Sequence, residues 1–399
     1  MSIGNAARRT YALARRLRLL WLVVGLAFFA AVIWFSGVSE LDRIAHIDPV
    51  YVAGALLCTF GLAVSSAARW GVLVDALAGG RSCGAERVAP VRQYYHYFII
   101  GRAVGQVFPD TLSDVSVRSL SLRLGHQYAI DAAVYSIAVD RVFDLATYLA
   151  YLAPAALFVV GVWPLELAAG VTALIFLACW LAFEIWPGSV IGTIVRGYAL
   201  LLRLAARVPF LARRLGNRET GFHPSLVGRG RGRVEPRLTE NATNSTDFQT
   251  TTSTLTPALS LPGRGSDRLN RDQMAQAADR RLSRGQARRI YFFNLVKLGF
   301  TFARLWCFAR ALDLPIAPSL LFFGMAIAQL GQAFAFTPGN LGTLELGWYA
   351  VLTVGGVDRE LIGAYLLVQR ILIAACVGLL GGVSYVIITL FPGERKAVG

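Results

Sequence analysis

Long apolar runs dominate this chain, separated by short polar stretches that carry most of its charge. Residues 19–36, 51–78, 129–160, 165–186, 290–312 and 361–391 each approach or exceed the roughly 20 apolar residues a bilayer-spanning helix needs. Two further apolar segments, 94–108 and 319–336, run into breaks. The first is followed by Pro109-Asp110 and the second by Pro338, Gly339, Gly342, Glu345 and Gly347. The pattern predicts an all-α polytopic membrane protein with about seven or eight transmembrane helices. The count depends on how the two Pro/Gly-broken, or re-entrant, regions are scored.

The polar stretches set orientation. Arg8, Arg9, Arg15, Arg16 and Arg18 precede the first run. That run is too long for a cleaved signal peptide and ends in Ile33-Trp-Phe35 rather than small residues. By the positive-inside rule the N-terminus is cytoplasmic, and the basic tail Gly393-Glu-Arg-Lys396 puts the C-terminus on the same side. Residues 51–78 then run inward, 129–160 outward, 165–186 inward and 290–312 outward. Residues 191–215 set Arg196, Arg203, Arg207, Arg213 and Arg214 against Leu, Ala, Val and Phe, as in a helix lying on the inner surface. Residues 216–285 are rich in Arg, Gly, Thr, Ser and Asn. Such a segment buries too little apolar surface to offset its ordering entropy, which predicts a disordered low-complexity cytoplasmic insert. The chain therefore divides into a first membrane half, 1–215, the insert, 216–285, and a second membrane half, 286–399.

Composition narrows the class. The 399 residues are 55% hydrophobic and 16% charged, against about 25% charged in soluble proteins. The net charge of +15 is almost all arginine, the only lysines being Lys297 and Lys396. With abundant Ala and Gly, this bias points to a high-GC bacterial genome and so to a bacterial inner (plasma) membrane. Arginines that flank apolar helices fit anionic lipid headgroups rather than nucleic acid. The five cysteines contain no CxxC pair and the four histidines are scattered, so no metal or cofactor is expected.

The two breaks resemble each other. Gly105-Gln-Val-Phe108 precedes Pro109, and Gly331-Gln-Ala-Phe334 precedes Pro338 by a few residues. Arg141 follows the first proline by 32 residues and Arg370 follows the second by 32. The correspondence suggests an internal two-fold repeat, and paired Gly/Pro-interrupted segments are the best sequence pointer to a transport site. Gly339 and Gly342 permit unusual backbone angles. A half-helix starting near Asn340 would then offer free N–H groups and a positive dipole end to a phosphate or carboxylate. Glu345 lies about one turn further on, with Arg370 or Arg141 as its expected partner.

Each charged residue also has a plain structural reading. Asp114 and Arg118, four apart, fit a local ion pair on an interfacial helix as well as a headgroup site. Asp140 and Asp144 share a helix face, and Arg141 could neutralise one of them. Lys297 and Arg304 are weaker candidates, because long cationic side chains snorkel to an interface. Ionisable residues at membrane depth are nevertheless functional candidates by default.

Pro338-Gly-Asn-Leu-Gly-Thr-Leu-Glu345 followed by Arg370 resembles the P-x-x-x-G-x-x-E … R pattern of the lysylphosphatidylglycerol synthase transmembrane region, a flippase-like membrane family. Pro109 to Arg118, followed by Asp140-Arg-Val-Phe-Asp144, is similar to the family's first half, P-x-x-x-G-E-x-x-R … E-R-x-x-D. Here Ser113-Asp114 stands for Gly-Glu, Arg118 falls one residue late, Asp140 replaces Glu, and Gln369 replaces the aromatic often found before Arg370. The resemblance covers most of the chain outside 216–285. It implies a multi-helix fold that moves phospholipids or isoprenoid lipids between leaflets.

On that footing Arg118, Arg141, Arg370, Gly339, Asn340 and Gly342 are expected at a lipid headgroup. Glu345, Asp114, Asp140 and Asp144 are expected to set the charge balance or to gate by protonation. The soluble domain that makes the aminoacyl lipid in the namesake synthases has no counterpart in this sequence, so synthase activity is not expected. The alternatives are a membrane enzyme using Asp110, Asp114 or Glu345 as base, or an accessory scaffold of a lipid-modifying or glycosyltransferase complex. The expected partners are membrane lipids with anionic headgroups, with a membrane enzyme added in the scaffold reading and no nucleic acid.

Overall fold

The computed structural model describes residues 46–78, 90–108, 110–126, 128, 130–186, 283–333 and 340–390, together with positions 30 and 34. Among them are ten helices and no strands. They are α1 (Pro49–Ala78), α2 (Val91–Gly105), α3 (Asp110–His126), α4 (Ile130–Ala150) and α5 (Leu152–Val159), followed by α6 (Leu165–Ile185), α7 (Arg284–Ala311), α8 (Pro318–Ala333), α9 (Thr343–Val354) and α10 (Arg359–Leu390). The chain divides into two compact units. One joins Met1–Val195 to Ala278–Gly399 and holds all ten helices. The other, Arg196–Ala277, lies outside the described residues, as do nearly all of the first apolar run, the amphipathic run 191–215 and the insert up to residue 282.

Helices α1, α6, α7 and α10 are each long and apolar enough to cross a membrane, and α4 with α5 makes a fifth span if the bent pair is counted as one. Sequence periodicity predicts a single helix over 129–160, but the chain bends there by 44° at Tyr151. Pro154 supplies the reason. It has no N–H to give the carbonyl of Ala150, and its ring collides with that carbonyl in a straight helix. At the other end of the gap, Ser283 starts α7 with a reciprocal cap. Gln286 N–H donates to Ser283 Oγ at 3.2 Å, and Ser283 N–H donates to Gln286 Oε1 at 3.0 Å. The expected boundary at residue 286 therefore falls inside the first turn of α7.

The two predicted breaks separate pairs of short helices. Helices α2, α3, α8 and α9 have 15, 17, 16 and 12 residues. At about 1.5 Å per residue each falls short of a hydrocarbon core roughly 30 Å thick. Each pair folds back on itself as a hairpin, α2 on α3 and α8 on α9. Small residues make both hairpins tight. A Cβ added at Gly347 would lie 2.8 Å from the Cα of Ala328, and one at Gly331 would lie 2.8 Å from the carbonyl oxygen of Thr343. In the first hairpin, a Cβ at Gly105 would lie 2.7 Å from Asp110 Oδ1.

Helix α1 is the hub. It packs on α7, α2, α4 and α10, and Gly61 admits the Phe300 ring of α7 to a place where any Cβ would collide with it. Helices α4 and α7 both pack on α1, and between themselves they are joined mainly by side chains. Those side chains are Lys297 with Asp144 and Asn294 with Thr147.

Candidate functional site

The charged network starts from a fully buried arginine on α1. Arg69 Nε donates to Asp140 Oδ1 at 2.9 Å, its Nη2 lies 2.6 Å from Asp144 Oδ1, and its Nη1 donates to Asn294 Oδ1. Asp140 and Asp144 are one turn apart on α4, so a single guanidinium inserted from α1 reaches both. The second oxygen of Asp140 accepts from Arg118 Nη2 at 3.0 Å. Arg118 in turn holds Asp114 at 3.0 Å, one helical turn back on α3, and lies 4.0 Å above the Trp70 ring. Asp114 and Arg118 both have side chains 0% exposed. The i,i+4 pair read from the sequence is therefore buried inside the protein, and the indole completes the cage around a charge that water does not reach.

Arg141 points the other way along the network. Its Nη2 lies 2.8 Å from Asp114 Oδ2 and 3.1 Å from Asp110 Oδ2. Arg102 of α2 also takes Asp110, at 2.7 Å. Arg141 and Arg102 keep 31% and 28% of their side chains exposed, whereas Arg69 and Arg118 keep none. On the α7 side, Lys297 Nζ sits 2.6 Å from Asp144 Oδ1. It is mostly buried within the bundle and joins the network instead of snorkelling outward.

The second hairpin carries a smaller version of the same arrangement. Asn340 has φ 59° and Gly342 has φ 86°, so the chain turns through left-handed backbone before α9 begins. Gly342 is the N-cap, and its N–H donates to Glu345 Oε2 at 2.7 Å. The other oxygen, Oε1, lies 2.7 Å from Arg370 Nη2 of α10. Glu345 and Asn340 are both buried. The amide that the half-helix start offers to an anion is thus occupied by the chain's own carboxylate, which also favours the positive end of the α9 dipole.

Of the residues singled out from sequence, Arg118, Arg141, Asp114, Asp140 and Asp144 come together in one network. Glu345, Arg370, Asn340 and Gly342 gather at the second hairpin. Gly339, with Pro109 and Pro338, lies outside the described residues. Arg141 does not neutralise Asp140 or Asp144 by direct pairing. Those two acids are taken by Arg69, Arg118 and Lys297.

Sequence reasoning missed Arg69 and Arg102. Each is an arginine inside an apolar run, and a buried charge demands a partner, so that signal was present for both. Among the described residues, no three His, Cys, Asp or Glu side chains converge as metal ligands would.

No curated protein and no solved structure matches the chain. A family model described as the lysylphosphatidylglycerol synthase TM region matches residues 22–381. That span takes in both hairpins, the charged network and the Glu345–Arg370 pair, so the chain belongs to the lysylphosphatidylglycerol synthase transmembrane-region family, a family of lipid-related membrane proteins.

Proposed function

We propose that this protein moves a phospholipid or isoprenoid lipid between bilayer leaflets. One observation carries the reading. At each of two hairpins, a carboxylate of the second half-helix is held by an arginine of the next long helix: Asp114 by Arg141 at 2.8 Å and Glu345 by Arg370 at 2.7 Å. Broken helices that bring charged groups to mid-membrane at two related places are the arrangement from which secondary transporters build their sites.

The proposed topology follows from the connections. The α2–α3 hairpin joins the end of α1 to the start of α4, and α8–α9 joins the end of α7 to the start of α10. With both termini cytoplasmic, these junctions lie on opposite faces of a bacterial inner membrane. The hairpins then enter from opposite sides as an inverted two-fold repeat; six full crossings return the chain to the cytoplasmic side, and the two re-entrant hairpins bring the membrane segments to eight. The rival reading with a catalytic base draws less support. Asp110, Asp114 and Glu345 are each already engaged by arginine.

The test is reconstitution of the full chain in liposomes with fluorescent lipids and a leaflet-selective quencher. Wild type is expected to exchange labelled lipid, and Glu345→Gln or Arg370→Ala to slow the exchange by at least about tenfold, the effect of losing one charge-assisted contact. Equal rates in wild type and both variants would overturn the proposal, as would a wild type that moves no lipid.

A further inference from the structure

The α7 face that meets the network presents Asn294, Lys297, Thr301 and Arg304, at spacings that keep them on one side of the helix. The first three are satisfied. Asn294 bonds Arg69 and Thr147, Lys297 pairs with Asp144, and the Thr301 hydroxyl donates to the Lys297 carbonyl. Arg304 is different. No acidic side chain among the described residues lies within ion-pairing distance of it, and its Nε is inaccessible and has no hydrogen-bond partner. The ionisable groups that interact with its charge include Arg102 of α2, Tyr148 of α4, Tyr365 and Cys376 of α10, and Cys58 of α1. They include a second cation, two phenols and two thiols.

Two neighbouring like charges repel, and a partly buried charge without a counter-charge is costly. The surrounding network does not relieve this. Asp110, Asp114, Asp140 and Asp144 are met by Arg69, Arg102, Arg118, Arg141 and Lys297, which already leaves one cation in excess before Arg304 is added. The groups nearest this excess are also the accessible ones. Arg102 and Arg141 share Asp110 and are about a third exposed, and Tyr148 and Arg304 are only partly buried. Neighbouring cations that carry donors and remain partly open are suited to receive an anion.

We infer that Arg304 and Arg102, with Arg141 and Tyr148 beside them, bind a phosphate group between α2, α4, α7 and α10. Guanidinium forks fit phosphate oxygens, and a phosphate placed between two of them replaces repulsion by charge-assisted hydrogen bonds. Assigning that phosphate to a membrane lipid rests on the transport reading above, whereas the anion site itself does not.

The experiment uses the full chain in nanodiscs of phosphatidylcholine doped with phosphatidylglycerol or phosphatidic acid, with retained lipids counted by native mass spectrometry. Wild type is expected to enrich an anionic phospholipid over phosphatidylcholine. Arg304→Gln should weaken that enrichment about tenfold or more, Arg304→Lys should fall between, and Arg289→Gln on the exposed face of α7 should match wild type.

A parallel arm titrates sodium phosphate against sodium chloride at equal ionic strength. Saturable binding lost in Arg304→Gln there, without lipid enrichment, keeps the site and assigns it a free anion. Thermal unfolding in pure phosphatidylcholine guards against misfolding, because Arg304→Met should unfold at a higher temperature than wild type once an unpaired charge is gone. If Arg304→Gln binds both lipid and phosphate as wild type does, or if Arg304→Met is less stable, the site is overturned. The outcome is separable from transport. Binding without lipid exchange removes the transport reading and leaves the site, and exchange with unaltered binding in Arg304→Gln does the reverse.

Discussion

Glu345 gives one carboxylate oxygen to Arg370 at 2.7 Å and the other to the backbone N–H of Gly342 at 2.7 Å. One side chain thereby caps a half-helix and compensates a charge brought in by α10. The two roles separate by substitution. Glu345→Gln keeps an acceptor for the Gly342 amide and gives up the charge, whereas Glu345→Ala gives up both. Losing one partner of a buried pair costs about 3–5 kcal/mol, and losing the cap adds about 1 kcal/mol. Thermal unfolding in detergent should rank wild type above Glu345→Gln above Glu345→Ala. If the two variants melt together, the cap contributes nothing.

Arg118 is expected to tolerate no substitute. Its guanidinium bridges Asp114 and Asp140 while lying 4.0 Å over Trp70, and none of its side chain is exposed. A lysine ammonium is a point charge that cannot fork to two carboxylates and stack on an indole together. Arg118→Lys should destabilise the protein by about 2–4 kcal/mol, and Arg118→Ala by more, since it leaves two acids less compensated. Urea or thermal unfolding measures both, and an Arg118→Lys protein as stable as wild type contradicts the bridging role.

The hairpin glycines give a contrast that depends on backbone contact alone. A Cβ at Gly347 meets the Cα of Ala328 at 2.8 Å, whereas one at Gly378 of α10 meets nothing within 4 Å. Gly347→Ala should cost about 1–3 kcal/mol through overpacking. Gly378→Ala should be neutral or slightly stabilising, because alanine favours helix by about 1 kcal/mol over glycine. Two variants that shift the melting temperature equally would show that the α8–α9 contact is not under constraint.

Much of this site was legible in the sequence because membrane helices leave few places for charge. Pro338, Gly342 and Glu345 in an apolar context announce a broken helix with a capped second half, and Arg370 was an expected partner for Glu345. The spacing of Asp140 and Asp144 announces a shared face, which Arg69 uses. Other features resisted. Arg69 and Arg102 announce themselves as charges that need partners, but nothing local says which partners they take. Which acid takes which arginine depends on how α1 inserts between α4 and α7, a tertiary fact without local signature. Pro154 was visible, yet whether a proline kinks a helix or ends it depends on what packs around the freed carbonyl. The excess of cations near Arg304 emerges only after every other charge has been paired in three dimensions.

Lys297 and Asp144 allow structure and function to be told apart. Asp144 Oδ1 is shared by Lys297 at 2.6 Å and Arg69 at 2.6 Å, and Asp140 still holds Arg69 if Asp144 is neutralised. Lys297→Met removes a cation and should cost only about 1–2 kcal/mol, because Arg69 continues to compensate Asp144. Asp144→Asn strands Lys297 and should cost about 3–5 kcal/mol. The double variant Lys297→Met with Asp144→Asn removes both charges and should recover most of that loss, since replacing a whole buried pair is often neutral. A double-mutant cycle on unfolding free energy therefore predicts a coupling of about 3–6 kcal/mol. The same three proteins in the liposome assay decide what the pair is for. If the double variant regains stability and lipid exchange together, Asp144 and Lys297 only hold α4 to α7. If stability returns and exchange stays at least tenfold slow, the charges themselves take part in moving the lipid.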